Sequence, residues 1–244
     1  MSETARDFVI LGEEQIPAGA MPRHIAIIMD GNRRWARLNG KSKNEGHRQG
    51  AQVFSDIAKY CRDIGIKYLT VFAFSTENKG RTKDEVDYLM DLLARYLSDV
   101  EKHEKENIRL CFLGDKGPLR PDLKAKIMDI EARSAKNDGI TVNVALHYGG
   151  RDEIVRAVKK LLASGVRQED ITEEVFSDAL DTGGIPDPDL LIRPSGELRL
   201  SNFLLWQCAY TEFVFMDILW PDFKPADLDR AILQYTRRSR RRGL

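Results

Sequence analysis

Residues 25–35 read Ile25-Ala26-Ile27-Ile28-Met29-Asp30-Gly31-Asn32-Arg33-Arg34-Trp35. Five apolar residues, three of them β-branched, run without polar alternation into an acid, a glycine and two arginines. A run this short, with no polar face, reads as a strand buried on both sides. Similar runs recur at Tyr68–Phe74, Ile108–Leu113, Thr141–Leu146, Leu190–Ile192 and Phe213–Phe215. Longer stretches with helical spacing lie between most of them. Val53, Phe54, Ile57, Ala58 and Cys61 form one stripe, and Val86, Leu89, Met90, Leu93, Tyr96, Leu97 and Val100 form another. Thr82 and Glu85 make a capping box for the latter. Further helices are expected over 120–136, 153–163 and 225–240. Strands alternating with helices predict an α/β fold: one six-stranded, mostly parallel sheet with helices on both faces. The first residues, 1–21, show no clear period and read as an N-terminal arm; 22–244 reads as a single domain without internal repeats.

The chain has 244 residues, enough to bury roughly three-quarters of its unfolded surface. Its 38 basic side chains balance 38 acidic ones, which argues against a general nucleic-acid binder. Cys61, Cys111 and Cys208 are far apart and fit neither a zinc site nor a disulfide framework. No apolar run approaches the roughly 18 residues of a membrane span, and the opening residues are too acidic for a signal peptide. A cytoplasmic protein is expected.

In parallel sheets ligands bind beyond the carboxyl ends of the strands. The segments there are 30–35, 75–81, 147–151 and 193–202, all polar, each holding a glycine and an arginine. No phosphate loop and no dinucleotide-binding turn is present. Arg34, Arg81, Arg193 and Arg199 offer instead a distributed set of planar donors matched to phosphate. Gly31 lets the backbone approach a ligand. Asp30, among so many cations, suits a hard cation such as Mg²⁺ that bridges carboxylate and diphosphate. Each element also has a plain reading. Asp30-Gly31 can be a turn, Glu77-Asn78 a helix cap, His47 a satisfied helix residue, and Arg193 and Arg199 surface ion-pair partners. Asp187-Pro188-Asp189 reads as a turn, and Trp206 and Tyr210 as core or interface.

Taken together, His24 to Ala36, Gly46-His47-Arg48-Gln49-Gly50, Phe72 to Asn78, His147 to Arg151 and Ile192 to Gln207 resemble the motifs of the cis-prenyltransferases, most closely the bacterial members that make undecaprenyl diphosphate. The match covers the chain from about residue 22 onward. The resemblance implies Mg²⁺-dependent condensation of isopentenyl diphosphate with an allylic diphosphate, farnesyl diphosphate being the expected starter. The implied product is a long-chain polyprenyl diphosphate such as undecaprenyl diphosphate, the lipid carrier for cell-wall synthesis. A shorter product, or a non-catalytic scaffold subunit, are the alternatives.

Carried over by position, the resemblance gives Asp30 the metal and the departing allylic diphosphate. Gly31, Asn32, Arg33 and Arg34 would surround that diphosphate, assisted by Lys43, His47 and Arg81, with Trp35 beside the allylic chain. Ser75, Thr76, Glu77, Asn78 and Lys79 belong to the loop over the substrates, Asn78 matching the position proposed to receive the proton. Arg193, Arg199, Leu200 and Ser201 would hold isopentenyl diphosphate. Glu212 matches a second metal-linked carboxylate, supplied in the family by the neighbouring subunit. A homodimer is implied, with Arg241-Arg242-Gly243 matching a tail that reaches the partner's site. The chain departs from the family at Lys43 (usually arginine), Lys79 (usually tryptophan), Pro194-Ser195 and His147. The growing hydrocarbon requires a hydrophobic tunnel, expected along Val53, Phe54, Ile57, Leu89, Leu93, Leu97, Leu69 and Val71. Its release suggests peripheral contact with the inner face of a membrane. The Arg237–Arg242 run reads as a helix end, a lipid contact or part of the tail.

Overall fold

The computed structural model describes residues 7–77, 82–98 and 105–238; Val100, Asn78, Lys79, Arg81 and the tail from 239 lie outside them. In chain order the elements are β1 (Phe8–Leu11), β2 (Glu14–Pro17), β3 (His24–Ile28), α1 (Asn32–Leu38), α2 (Lys43–Asp63), β4 (Tyr68–Ser75), α3 (Lys83–Ser98), β5 (Ile108–Leu113), α4 (Pro121–Ser134), β6 (Ile140–Tyr148), α5 (Gly150–Ser164), α6 (Glu173–Ala179), β7 (Leu190–Arg193), β8 (Glu212–Phe215) and α7 (Pro225–Thr236). Six strands form one sheet in the order β5-β6-β4-β3-β7-β8, and every adjacent pair is parallel.

β3 shows why its sequence lacks alternation. All five residues are buried. Ile25 and Ile27 enter the larger core with Val53, Phe54 and Ile57 of α2, while Ala26 and Ile28 face a second cluster with Phe203 and Leu204. Each fully buried isoleucine contributes about 2 kcal/mol of transfer free energy. The second face is extended by α5 and α6, tied in through Glu153, which accepts from Tyr148 Oη at 2.5 Å and from Gln207.

Residues 8–17 are not the periodless arm read from the sequence. β1 and β2 pair antiparallel, Leu11 and Ile16 insert into the larger core, and Ile10 points outward. Glu14 pairs with Arg237 beyond α7. Two four-residue strands carry too few alternations to register as a pattern.

The strand order reverses at β3: β4 lies on one side of it and β7 on the other. That reversal opens a crevice at the carboxyl ends of the strands. β4 is also irregular there, with register shifts between Phe72, Phe74 and Ser75 that re-aim its last residues. α2 opens with a capping box of Ser42 and Glu45 and presses its Gly46–Gly50 face onto the start of α1. A Cβ at Gly46 would lie 2.3 Å from Asn32 O, and one at Gly50 would lie 2.1 Å from Asn32 Oδ1. The spacing of these two glycines is therefore a packing requirement of α1 against α2.

Candidate active site

Asp30 follows β3 and Arg193 ends β7, adjacent strands in the sheet. Arg193 Nη2 donates to Asp30 Oδ2 at 2.8 Å. Its other terminal nitrogen donates to Ser201 Oγ at 2.9 Å and to the Arg199 carbonyl, while Nε is buried without a partner. Burial alone would raise the Asp30 carboxyl; the hydrogen bond and charge of Arg193, with the Gly31 amide at 2.7 Å, outweigh it and hold the group below the usual carboxylate range. An ionised carboxylate and a guanidinium thus share the crevice.

Arg34 reaches the same edge from α1. It donates to the Ser195 carbonyl at 2.8 Å and to Glu197 Oε1 at 2.9 Å, and Arg199 takes the other Glu197 oxygen. These two arginines hold the Glu197 carboxyl below its ordinary range. The carrying loop is folded unusually: Ser195, Ser201, Asn202 and Leu204 all have positive φ. Ser201 at +51° points its hydroxyl at Arg193. Non-glycine residues in this region store backbone strain of order 1–3 kcal/mol each and gather at functional sites. Leu200 packs partly buried against the second core cluster and supports the loop rather than facing the cavity.

A second group of cations converges on α3. His47 Nε2 lies 3.2 Å from Glu85 Oε1, Arg33 Nε lies 3.7 Å from the same oxygen, and Lys43 Nζ lies 4.0 Å from Oε2. Thr82 caps the Glu85 amide, as the capping box predicts, but the carboxylate serves the cations of α1 and α2. Gly31, at φ +106°, starts α1, and Asn32 Oδ1 is buried without a partner beside Gly50.

Beneath these groups lies a cavity of about 360 Å³. Asp30, Asn32, His47, Ser75, Glu77, Arg193 and Ser201 form its polar rim. Phe54, Val71, Leu89, Leu93, Tyr96 and Phe112 are among the apolar residues below. Of the lining expected from the sequence, Phe54, Val71, Leu89 and Leu93 face the cavity, whereas Val53, Ile57, Leu69 and Leu97 are core. Trp35 is not at the cavity: it is buried in the α1 wall, bonded through Nε1 to Asp222 at 2.7 Å. Trp220 supplies an indole there instead, fixed by its Nε1 bond to the Gly50 carbonyl. At the end of β4, Ser75 Oγ accepts from the Glu77 amide, Glu77 accepts from Asn202 at 2.7 Å, and the Thr76 amide donates to the Tyr148 carbonyl.

Glu212 is elsewhere. It opens β8 opposite Leu190, at the amino end of the strands, and pairs with Arg238 at 2.7 Å. Asp30 lies beyond the opposite end, past Ile28, which is itself about 10 Å from that level along the strand direction at ~3.3 Å per residue. Within one chain the two carboxylates do not share a metal. Among the described residues no group of three or more His, Cys, Asp or Glu side chains is placed to hold a metal. The partly exposed Asp30 carboxylate, held below the usual carboxylate range, has the oxygen-donor chemistry that would hold a hard divalent cation such as Mg²⁺. Sequence reasoning missed Glu85 and Glu197 as internal counter-charges and Trp220 as lining. The signal for Glu85 was assigned to helix capping alone.

The chain is similar to known proteins over most of its length. The sequence profile of the family described as "putative undecaprenyl diphosphate synthase" matches residues 28–243. An isoprenyl transferase of Clostridium perfringens is 46% identical over 228 residues, 91% of this chain and 90% of that protein. One from Aquifex pyrophilus is 49% identical over 224 residues, 91% and 96% of the two. Among solved structures, lavandulyl diphosphate synthase from Lavandula x intermedia, in complex with dimethylallyl diphosphate, superposes with a TM-score of 0.87 at 40% identity, covering 91% of this chain and 98% of its own. A probable undecaprenyl diphosphate synthase from Campylobacter jejuni gives 0.77 at 37% identity, covering 91% and 99%. With kinship running nearly end to end and a charged rim set over an apolar cavity, this chain belongs to the isoprenyl transferase family and is a prenyltransferase.

Proposed function

We propose that this prenyltransferase elongates an allylic diphosphate, farnesyl diphosphate being the expected starter, with isopentenyl diphosphate in a Mg²⁺-dependent reaction that leaves cis double bonds and yields a long-chain polyprenyl diphosphate such as undecaprenyl diphosphate. The observation that carries this reading is the Asp30–Arg193 contact at the mouth of an apolar cavity. A substrate with an anionic head and a hydrocarbon tail meets both halves of that arrangement.

In each cycle the allylic C–O bond breaks, a bond forms to the isopentenyl double bond, and one proton is lost. Gly31, Asn32, Arg33 and Arg34 at the start of α1, with Lys43 and His47, would surround the allylic diphosphate. The unpartnered Asn32 Oδ1 beside this cluster supports a role in organising bound water there. Arg193, Arg199 and Ser201 would hold the second diphosphate. When bound at Asp30, Mg²⁺ would supply positive charge to the departing oxygens. Preplaced guanidinium groups would add to that stabilisation, worth about 3 kcal/mol per well-aimed donor. Holding two diphosphates side by side also aligns the double bond with the allylic carbon. The proton would go either to Asn78, by the family resemblance, or to the released diphosphate.

The growing chain would enter the cavity between α2, α3 and the sheet, where each buried methylene contributes about 0.8 kcal/mol. One observation supports a homodimer: Val155, Val158 and Leu162 expose an apolar stripe along α5. By the family resemblance, Glu212 would come to Asp30 from the second copy. No described helix is long and apolar enough to cross a membrane, and we place product release at a membrane surface through peripheral contact. The experiment is incubation with radiolabelled isopentenyl diphosphate, farnesyl diphosphate and Mg²⁺, followed by organic extraction. Label in the organic phase only when all three are present is the expected result, and none under any condition overturns the reading.

A further inference from the structure

Among the described residues, Glu85 is the one buried carboxylate that faces three of the cations assigned to the allylic diphosphate. Its side chain is 3% exposed, and so it carries a desolvation cost of several kcal/mol unless it is paired. It is not part of the cavity lining: His47 lines the cavity, while Glu85 reaches His47 from α3. A Glu85 carboxylate accepts from the His47 tautomer that carries its hydrogen on Nε2, a contact that fixes the plane of the imidazole. Arg33 and Lys43 are about half exposed and rotamer-rich, and without a counter-charge they repel each other and disperse into solvent. One glutamate leaves the group with net positive charge, so it gathers the cations without cancelling their attraction for an anion.

We propose that Glu85 is a positioning residue for the diphosphate site: from α3 it orients His47 and draws Arg33 and Lys43 together, so that the ligand meets an assembled cluster. This rests on the assignment of that cluster to a diphosphate. It predicts a definite sign, because a carboxylate that merely competed with the ligand for the cations would have the opposite effect when neutralised.

The test titrates the full chain with inorganic pyrophosphate by calorimetry, in wild type and Glu85→Gln, beside KM and kcat for the allylic diphosphate. In Glu85→Gln the pyrophosphate Kd is expected to rise about tenfold, with a matching rise in KM, a smaller fall in kcat and a melting temperature close to wild type. Unchanged or tighter pyrophosphate binding by the folded variant overturns the proposal. So does a double-mutant cycle with His47→Gln in which the two losses simply add. If Glu85→Gln does not fold, the wild type decides: the His47 ring N–H resonance should persist at saturating pyrophosphate, and its disappearance overturns the proposal. A wild type that binds pyrophosphate but never condenses the two substrates sinks the proposed reaction and leaves this inference standing. Condensation with Glu85→Gln binding unaltered does the reverse.

Discussion

Arg193 and Asp30, 163 residues apart in sequence, are joined by a 2.8 Å hydrogen bond that links the carboxyl ends of β7 and β3. Each is the other's main counter-charge. Arg193 is almost fully buried, so its charge is committed to the crevice with or without a ligand. Arg193 holds the Asp30 carboxyl below the usual carboxylate range against the effect of burial, and Asp30 stays the more exposed of the two. Asp30→Ala should therefore lower kcat by about 10²–10³-fold, while Ser201 and the Arg199 carbonyl keep Arg193 partly satisfied and the fold intact. Metal-free pyrophosphate binding should tighten, since a negative neighbour has been removed. Turnover near that of wild type would overturn the metal assignment.

The α1–α2 contact yields a second expectation. Gly50→Ala places a methyl 2.1 Å from Asn32 Oδ1 and 3.0 Å from the Trp220 ring. Neither neighbour is free to give, because Asn32 starts α1 and Trp220 is bonded to the Gly50 carbonyl itself. Overpacking of this kind costs about 1–3 kcal/mol. Thermal unfolding should register that loss, and KM for the allylic diphosphate should rise as α1 is pushed away from His47. A variant with unchanged melting temperature and KM would show that α1 is less tightly seated than its contacts indicate.

How much of this was legible in sequence depended on whether a signal was local. The six strands of the sheet were readable because each centres on a short apolar run, and in a central strand such as β3 both faces are covered, as Ile25 and Ala26 show. The rim followed from asking which residues come after each strand, and Asp30 and Arg193 meet where that reasoning places them. Directions of side chains were not readable. Trp35 and Trp220 are equally apolar in sequence, yet packing sends only Trp220 to the cavity. Glu85 sits at a capping position that accounts for it locally, which hid its contact with His47 across two helices. The positive-φ run at Ser201, Asn202 and Leu204 contains no glycine and so left no trace in composition.

His24 connects the sheet to a pH dependence. Its Nδ1 lies 2.6 Å from the Pro186 carbonyl and its Nε2 lies 2.7 Å from Thr70 Oγ1, which also accepts from Asn143. Burial lowers its pKa from 6.5 to about 4, against the opposing pull of the Pro186 carbonyl and Asp189. The folded state thus binds fewer protons than the unfolded chain between those values, and stability rises with pH across the window. The contribution is complete above pH 6.5 and fades as pH falls toward 4, by about 3 kcal/mol in all. Urea unfolding at intervals from pH 4.5 to 7 should show this slope in wild type and a shallower one in His24→Asn. Equal slopes in the two proteins would remove His24 as the cause.

The cavity leads to the last expectation. Leu93 on α3 faces it together with Leu89 and Phe54, opposite Val71 of the sheet. If the hydrocarbon grows into this space, each added isoprene unit contributes about 3–4 kcal/mol of burial, and departure of a long product becomes the slow step. Detergent, which receives the product, should then raise turnover, while a fluorescent starter should show a fast first round of condensation before the slower steady state. Filling the space with Leu93→Trp should stop elongation early and relieve the slow release, giving shorter products on thin-layer separation and a smaller response to detergent. Products of wild-type length from the folded variant would mean that the chain does not pass Leu93. Turnover indifferent to detergent in both proteins would mean that chemistry, rather than release, sets the rate.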